Sequence, residues 1–162
     1  MPLRVNIACG DYDRTRALME GNVKAEGLEL RWLAMSHGEM WQQILNNSDV
    51  QVSELSLAWH IIARTRGMPL LAIPVFPARA FRHSYIFINT KSGIHEPRDL
   101  MGKRVGLGEF PQTAAVIARA ILQHEYGVSL EKIKWFTWGK QSMELKLPER
   151  YEIHRLTEEK SP

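Results

Sequence analysis

The alternation of short apolar runs with amphipathic stretches constrains the fold of this chain more than any other feature. Runs predicted as strands and stretches predicted as helices follow one another through the first half of the chain. The predicted strands are 3–8, 28–34, 50–55 and 70–76. Strands separated by helices pair in parallel through right-handed crossovers. The sequence therefore predicts an α/β fold whose sheet is covered on both faces.

Capping residues predict where the helices begin and end. Asp13 is expected to cap the first helix and Gly21 to close it. Ser36 and Glu39 have the spacing of a capping box, in which each side chain satisfies a free backbone N–H. Gly67 is expected to end the third helix. Short polar loops are thus predicted between each strand and the helix that follows it.

Polar loops at the carboxyl ends of the strands are the predicted ligand-binding region. Ligands of parallel α/β sheets bind at this edge. Residues 10–14, 53–56 and 76–84 are therefore predicted to line one pocket.

The loop at 76–84 carries the most suggestive charges. Arg79, Arg82 and His83 lie there between the strand predicted before the loop and another predicted at 85–89. Two arginines and a histidine in that position would bind an anion and supply a titratable proton donor. The alternative is that these are solvated charges on an ordinary surface loop.

A polar, turn-rich segment after Thr90 indicates a boundary between two lobes. Strands are predicted beyond it at 103–107 and 133–138, with a helix between them that Gly127 closes. Thr113, at the start of that helix, could present free backbone N–H groups to an anion. The predicted organisation is a first α/β lobe, the start of a second lobe and a divergent charged tail, at 1–92, 93–138 and 139–162.

Composition narrows the class of protein. The chain has 162 residues, of which 44% are hydrophobic and 24% charged, as in ordinary globular proteins. The net charge is +3 and no basic run is long enough to predict a nucleic-acid partner. No stretch has the length of a membrane span and no signal-peptide core is present, so we expect a cytoplasmic protein without a membrane partner.

Several common functional motifs do not occur. Glycines are not spaced for dinucleotide binding, no Gly-x-Ser-x-Gly elbow occurs, and no histidine pair has metal-ligand spacing, so no metal is predicted. Cys9 is the single cysteine, which excludes an internal disulfide and a cysteine-rich zinc site. An inert core thiol is favoured over a nucleophile at this position.

Five segments together resemble the 4,5-dihydroxyphthalate decarboxylase family. They lie at 8–18, 52–56, 72–84, 99–106 and 112–115. Gly-Asp-Tyr-Asp-Arg-Thr and Phe-Arg-His-Ser are the more specific elements, whereas Asp-Leu-Met-Gly-Lys-Arg-Val-Gly is typical of a wider superfamily.

The resemblance implies a type II periplasmic-binding-protein-like fold, with one nearly complete lobe and the start of a second. Family members are longer, and the resemblance fades after Gly139. An amino-terminal portion is therefore expected, and its activity when alone is in question.

The resemblance also implies decarboxylation of a dihydroxylated aromatic dicarboxylic acid, giving protocatechuate and carbon dioxide from 4,5-dihydroxyphthalate. No organic cofactor is expected, because a hydroxyl para to the departing carboxylate lets the ring act as electron sink. His83 is the candidate acid that protonates the ring. Glu54 and Asp11 are alternative acids, or bases that receive a phenolic proton.

Substrate-binding roles follow from the same chemistry. Arginines would hold the carboxylates, and small hydroxyl side chains would orient the substrate hydroxyls. The candidates are Arg14, Arg79, Arg82, Ser53, Ser56 and Thr113. Helix capping is the alternative role for Asp11, Asp13, Ser53 and Ser56.

Two other functions are kept open. One is a non-catalytic protein that binds a small anionic ligand, and the other is a fragment without function. The expected partners are a small aromatic carboxylate and either further copies of the chain or a partner that supplies the second lobe.

Overall fold

A computed structural model describes residues 1–46, 49–138 and 141–156. The chain forms two compact units, Met1–Ala80 and Phe81–Pro162. Each unit has its own three-stranded sheet, and the paired strands in both sheets are parallel. The α/β class with parallel pairing is therefore confirmed, while the lobe boundaries after residues 92 and 138 stay predictions.

The sheet of the first unit is built around its first strand. This strand, β1 (Leu3–Ala8), lies between β2 (Leu28–Leu33) and β3 (Val52–Ser53). β1 pairs with β2 along its whole length, whereas β3 pairs with it only through two residues, Val52 beside Ile7 and Ser53 beside Ala8. The carboxyl ends of β1 and β3 therefore lie side by side.

Three helices accompany this sheet: α1 (Asp13–Met19), α2 (His37–Leu45) and α3 (Leu57–Thr65). The apolar face predicted for α2 is confirmed by buried Met40 and Leu45. The face predicted for α3, with Leu57, Ala58, Ile61 and Ile62, is wrong, because Leu57 and Ile61 are each 55% exposed and the helix buries Trp59 and Ala63 instead. The buried residues of the unit include Ala8, Met40, Leu45, Val50, Trp59 and Ala63.

Most of the predicted helix ends are confirmed. Ser36 and Glu39 form the capping box at the start of α2. Gly21 and Gly67 follow α1 and α3 with φ of +74° and +77°, a left-handed conformation that glycine adopts without a Cβ clash. The prediction that Asp13 caps α1 is wrong, because α1 begins at Asp13 itself and the capping position belongs to Tyr12.

The strand predicted at 70–76 is absent from the structure. Leu71 and Ile73 are 90% and 59% exposed, and the segment has neither helix nor strand. Pro74 lies inside the run and lacks the backbone N–H that a central strand needs to donate. The apolar composition was therefore a misleading signal for a buried strand.

The strand predicted at 85–89 is also wrong. A short 3-10 helix, Arg82–Tyr85, begins the second unit and ends where the strand was expected to start. Phe87 is 85% exposed. Ser84 stabilises this turn, because its hydroxyl donates to the carbonyl of Phe81 at 2.8 Å.

The second unit contains β4 (Arg104–Leu107), α4 (Thr113–His124), β5 (Lys134–Thr137) and β6 (Ile153–Arg155). β5 lies between β4 and β6. The first three elements match the predicted strand, helix and strand, whereas β6 was not predicted, because residues 139–162 show no clear period in sequence.

The second unit has an apolar core of its own. One cluster of its buried residues contains Leu100, Phe110, Leu122, Val128, Leu130, Ile133 and Trp135. The Trp135 indole donates to the carbonyl of Leu130 at 3.0 Å, which satisfies its buried N–H. Among the described residues of both units, no helix combines the length and apolar character that crossing a membrane requires.

Candidate functional site

Adjacent strand ends in the first unit bring the loop after β1 close to Glu54. Glu54 directly follows β3, and its backbone N–H donates to the carbonyl of Ala8 at 2.9 Å. This bond continues the pairing of β1 with β3 by one residue. The loop that begins with Cys9 therefore passes over the Glu54 side chain.

The Glu54 carboxylate is nearly buried and is surrounded by donors. Its side chain is 10% exposed. The Tyr12 hydroxyl donates to its two oxygens at 2.9 and 3.0 Å, and the backbone N–H of Gly10 donates at 3.3 Å. The Cys9 thiol lies 3.9 Å away and also donates to it. A buried carboxylate needs such donors, because they replace the water it has lost.

Close packing against Gly10 fixes the position of Tyr12. A Cβ atom at Gly10 would lie 2.9 Å from the Tyr12 ring. Real Cβ atoms do not approach other atoms this closely, so only glycine leaves the ring in its present place.

Cys9, Gly10 and Tyr12 surround the Glu54 carboxylate, and His37 joins this cluster from a third element. It is the first residue of α2, where the capping box formed by Ser36 and Glu39 fixes the start of the helix. The His37 Nε2 atom lies 3.2 Å from the Tyr12 hydroxyl and 3.6 Å from Glu54. Its side chain is 55% exposed. One titratable group of the cluster is therefore buried, and another faces solvent.

The surroundings raise the pKa values of two donors to Glu54. Burial, and then the nearby charge of Glu54, raises the pKa of Cys9 to about 11. Burial and the hydrogen bond to Glu54 raise the pKa of Tyr12 to about 12. Both groups therefore stay protonated near neutral pH and act as donors. Cys9 is half-buried at the edge of the sheet, in contact with Glu54.

Arg14 borders the cluster on the side of the loop at 76–80. Its guanidinium lies 4.8 Å from the centre of the Tyr12 ring. It also donates through Nε to the carbonyl of Pro77 at 2.6 Å and pairs with Asp13 at 2.7 Å. Arg14 thus places a positive charge beside Tyr12 and ties this loop to α1.

The other predicted residues of the first unit have local partners. Asp11 pairs with Arg16 at 3.2 Å. Its alternative role as a helix cap is wrong, because Tyr12 holds the capping position of α1. The Ser53 hydroxyl donates to the carbonyl of Glu54 at 2.9 Å. Arg79 donates to the carbonyl of Phe76 at 3.3 Å within its own loop.

Ser56 has the capping position of α3 and is buried. Its side chain makes no capping hydrogen bond. The capping alternative therefore correctly predicts the position of Ser56 but not the role of its hydroxyl.

Three predicted site residues belong to the second unit. His83 pairs with Glu125 at 3.1 Å, the Arg82 guanidinium lies 5.2 Å from the centre of the Tyr85 ring, and Thr113 is the first residue of α4. His83 also borders a largely apolar cavity of about 260 Å³, lined further by Ile86, Ile88, Ile94, His95, Glu96, Pro97, Leu100, Leu122 and Tyr126. A single site that combines these residues with Glu54 stays a prediction.

The sequence nominated Glu54 and Arg14, which lie in or beside this cluster, but it did not nominate Tyr12 or His37. Tyr12 lies within the loop at 10–14 that was predicted to line the pocket, so its position was available. His37 had no local signal beyond its place at a helix start after a strand. Within residues 1–46, 49–138 and 141–156, no group of three or more histidine, cysteine or acidic side chains could hold a metal ion.

Parallel α/β sheets and polar groups at the carboxyl strand ends are features shared by many binding proteins and enzymes. Residues 16–147, more than half of the chain, match a family model described as NMT1/THI5 like. The chain therefore belongs to the NMT1/THI5-like family, which is periplasmic-binding-protein-like.

Curated relatives confirm the narrower resemblance. One, a 4,5-dihydroxyphthalate decarboxylase of Comamonas testosteroni, is 38% identical over 154 residues, covering 91% of this chain and 47% of the relative. Another of the same name, from Pseudomonas putida, is 35% identical over 138 residues, covering 85% of this chain and 54% of the relative. The chain thus spans about half the length of these relatives.

Proposed function

We propose that this chain acts in the decarboxylation of 4,5-dihydroxyphthalate to protocatechuate and carbon dioxide. The observation that carries the proposal is the similarity to two proteins of that name, over 91% and 85% of this chain. The acid–base groups around Glu54 support it, because the reaction requires the transfer of a phenolic proton.

The division of the fold into lobes is part of the same proposal. One nearly complete lobe of a type II periplasmic-binding-protein-like fold would be followed by the start of a second. Two compact units with separate parallel sheets support this reading. The cytoplasmic location, and the choice between a homo-oligomer and a partner that supplies the rest of the second lobe, stay predictions.

The proposed reaction uses the ring as electron sink. A base takes the proton of the hydroxyl para to one carboxylate, and electron density moves to the carbon that bears this carboxylate. An acid protonates that carbon, carbon dioxide leaves, and the first proton returns to the hydroxyl oxygen. The net change is one proton taken up and one carbon dioxide released, which needs no organic cofactor.

Residue roles within this reaction are assigned by chemistry. His83 is proposed as the acid, and Glu54 and Asp11 are its alternatives or act on the phenolic proton. Contacts of Glu54 with the titratable side chains of Tyr12 and His37 support a part for it in the acid–base chemistry. The proposed substrate-binding residues are Arg14, Arg79, Arg82, Ser53, Ser56 and Thr113.

Carbon dioxide release from 4,5-dihydroxyphthalate tests the proposal. The purified chain is expected to release carbon dioxide and to form protocatechuate in equal amounts, and His83→Ala is expected to lower the rate about 100-fold. His124→Gln is the matched control, because His124 is an exposed residue at the end of α4. Equal background rates for all three proteins would contradict the proposal. Tight binding of the substrate without turnover would favour the non-catalytic binding protein instead.

A further inference from the structure

We infer that Tyr12, His37 and Glu54 form a site for a phenolic hydroxyl, in which His37 is the base that accepts its proton. The inference rests on the proposed function, which supplies a catechol as the ligand class. It adds two residues that the sequence did not nominate, and it gives Glu54 a role that is separate from direct contact with the substrate.

The hydrogen bonds of the cluster run in one direction. A tyrosine hydroxyl has one proton, and Tyr12 donates it to Glu54. The contact of 3.2 Å between Tyr12 and His37 therefore requires His37 Nε2 to be the donor when the imidazole is neutral. Neutral imidazole carries its proton on one nitrogen only, so Nδ1 of His37 is left as the basic atom.

The solvent exposure of the two side chains determines which of them a ligand can contact. The side chain of His37 is 55% exposed, whereas that of Glu54 is 10% exposed and is already occupied by donors. A phenolic hydroxyl arriving from solvent can therefore donate to His37, but it would have to displace Tyr12 to reach Glu54.

Glu54 faces the product of this proton transfer. When His37 accepts a proton, its imidazolium lies 3.6 Å from the Glu54 carboxylate, and opposite charges at this distance attract each other. Tyr12 is a positioning residue, because its single hydroxyl contacts both Glu54 and His37.

Arg14 is a positive charge at the border of this cluster, but it already has an acidic partner. Its guanidinium lies 4.8 Å from the centre of the Tyr12 ring and pairs with Asp13 at 2.7 Å. The proton transfer breaks the O–H bond of the phenol and forms an N–H bond at His37, which leaves a negative charge on the phenolic oxygen. The Glu54 carboxylate, 3.6 Å from His37 Nε2, is therefore the opposite charge that the structure places beside this step.

Protocatechuate binding tests the inference without depending on turnover. This ligand carries adjacent hydroxyls, and ionisation of a phenol shifts its ultraviolet absorption to longer wavelength. At pH 7 and saturating ligand, the unmodified protein is expected to give a phenolate difference band. His37→Gln should reduce this band at least 10-fold and Tyr12→Phe should weaken it, whereas His124→Gln should leave it unchanged. Benzoate, which lacks hydroxyls, should give no band.

The outcomes separate this inference from the proposed function. A band that persists in His37→Gln, or no band or no binding with the unmodified protein, would overturn the inference. The expected band pattern without release of carbon dioxide from 4,5-dihydroxyphthalate would support the site and contradict the decarboxylase proposal. Carbon dioxide release with no phenolate band would support the decarboxylase proposal and contradict the site.

Discussion

Tyr12 donates its hydroxyl proton to Glu54 at 2.9 Å, and the two residues are 42 positions apart in the chain. The contact exists because β1 and β3 end side by side, so that the loop after β1 lies over the first residue beyond β3. A hydrogen bond to a nearly buried carboxylate is worth more than one between neutral groups. The stability of this edge therefore depends in part on Tyr12.

Tyr12→Phe removes this bond and should lower the free energy of unfolding by roughly 1.5–3 kcal/mol at pH 8. Because the folded pKa of Tyr12 is raised from 10.0 to about 12, its contribution is fully present below pH 10 and is lost as the pH rises towards 12. Urea unfolding of both proteins between pH 8 and 12 measures the difference. A stability difference that did not shrink over this range would contradict the assignment.

Cys9 should react slowly with iodoacetamide at pH 8, because its pKa of about 11 keeps the thiol protonated. Glu54→Gln removes a charge that raises this pKa, so alkylation should become faster. Asp11→Asn, in the same loop but paired with Arg16, is the control and should change the rate little. The single cysteine makes labelling unambiguous. Equal rates for the Glu54 variant and the unmodified chain would show that the charge does not act on Cys9.

Much of the local structure could be predicted, because its causes lie within a few residues. The capping box of Ser36 and Glu39 and the glycines after α1 and α3 depend on neighbouring backbone groups. β1 and its parallel pairing followed from the alternation of strands with helices. The same local rules failed for 70–76, where apolar content outweighed the effect of Pro74.

The site was only partly predictable, because its contacts join distant segments. Glu54 and the loop at 10–14 were nominated from the rule that ligands bind at the carboxyl ends of parallel strands. The same rule could not say that Tyr12 rather than Asp11 points at Glu54. The place of His37 depends on where α2 begins in space, which no local pattern specifies.

Ser36→Ala tests how much the capping box at the start of α2 contributes to stability. The Ser36 hydroxyl accepts from the backbone N–H of Glu39, and its loss should cost about 1 kcal/mol of stability. Ser129→Ala is a matched control, since Ser129 precedes a 3-10 helix without a side-chain cap. Chemical denaturation measures both. A larger loss of stability for Ser129→Ala than for Ser36→Ala would contradict the capping role of Ser36.

Gly10→Ala should disturb the cluster through its packing. The new methyl group would lie 2.9 Å from the Tyr12 ring, so the ring must move away from Glu54. Gly38→Ala is the contrasting variant, because a Cβ there meets nothing within 4 Å and α2 should gain about 0.5–1 kcal/mol. Thermal unfolding should therefore shift in opposite directions for the two variants, and a shift in the same direction would contradict the packing argument.

The most direct measurement is release of labelled carbon dioxide from carboxyl-labelled 4,5-dihydroxyphthalate by the unmodified chain, His37→Gln and Glu54→Gln. Glu26→Gln, which changes an exposed carboxylate, is the control. We expect the two site variants to release carbon dioxide about 100-fold more slowly, while Glu26→Gln keeps the unmodified rate. Rates for His37→Gln and Glu54→Gln equal to that of the control would contradict this expectation.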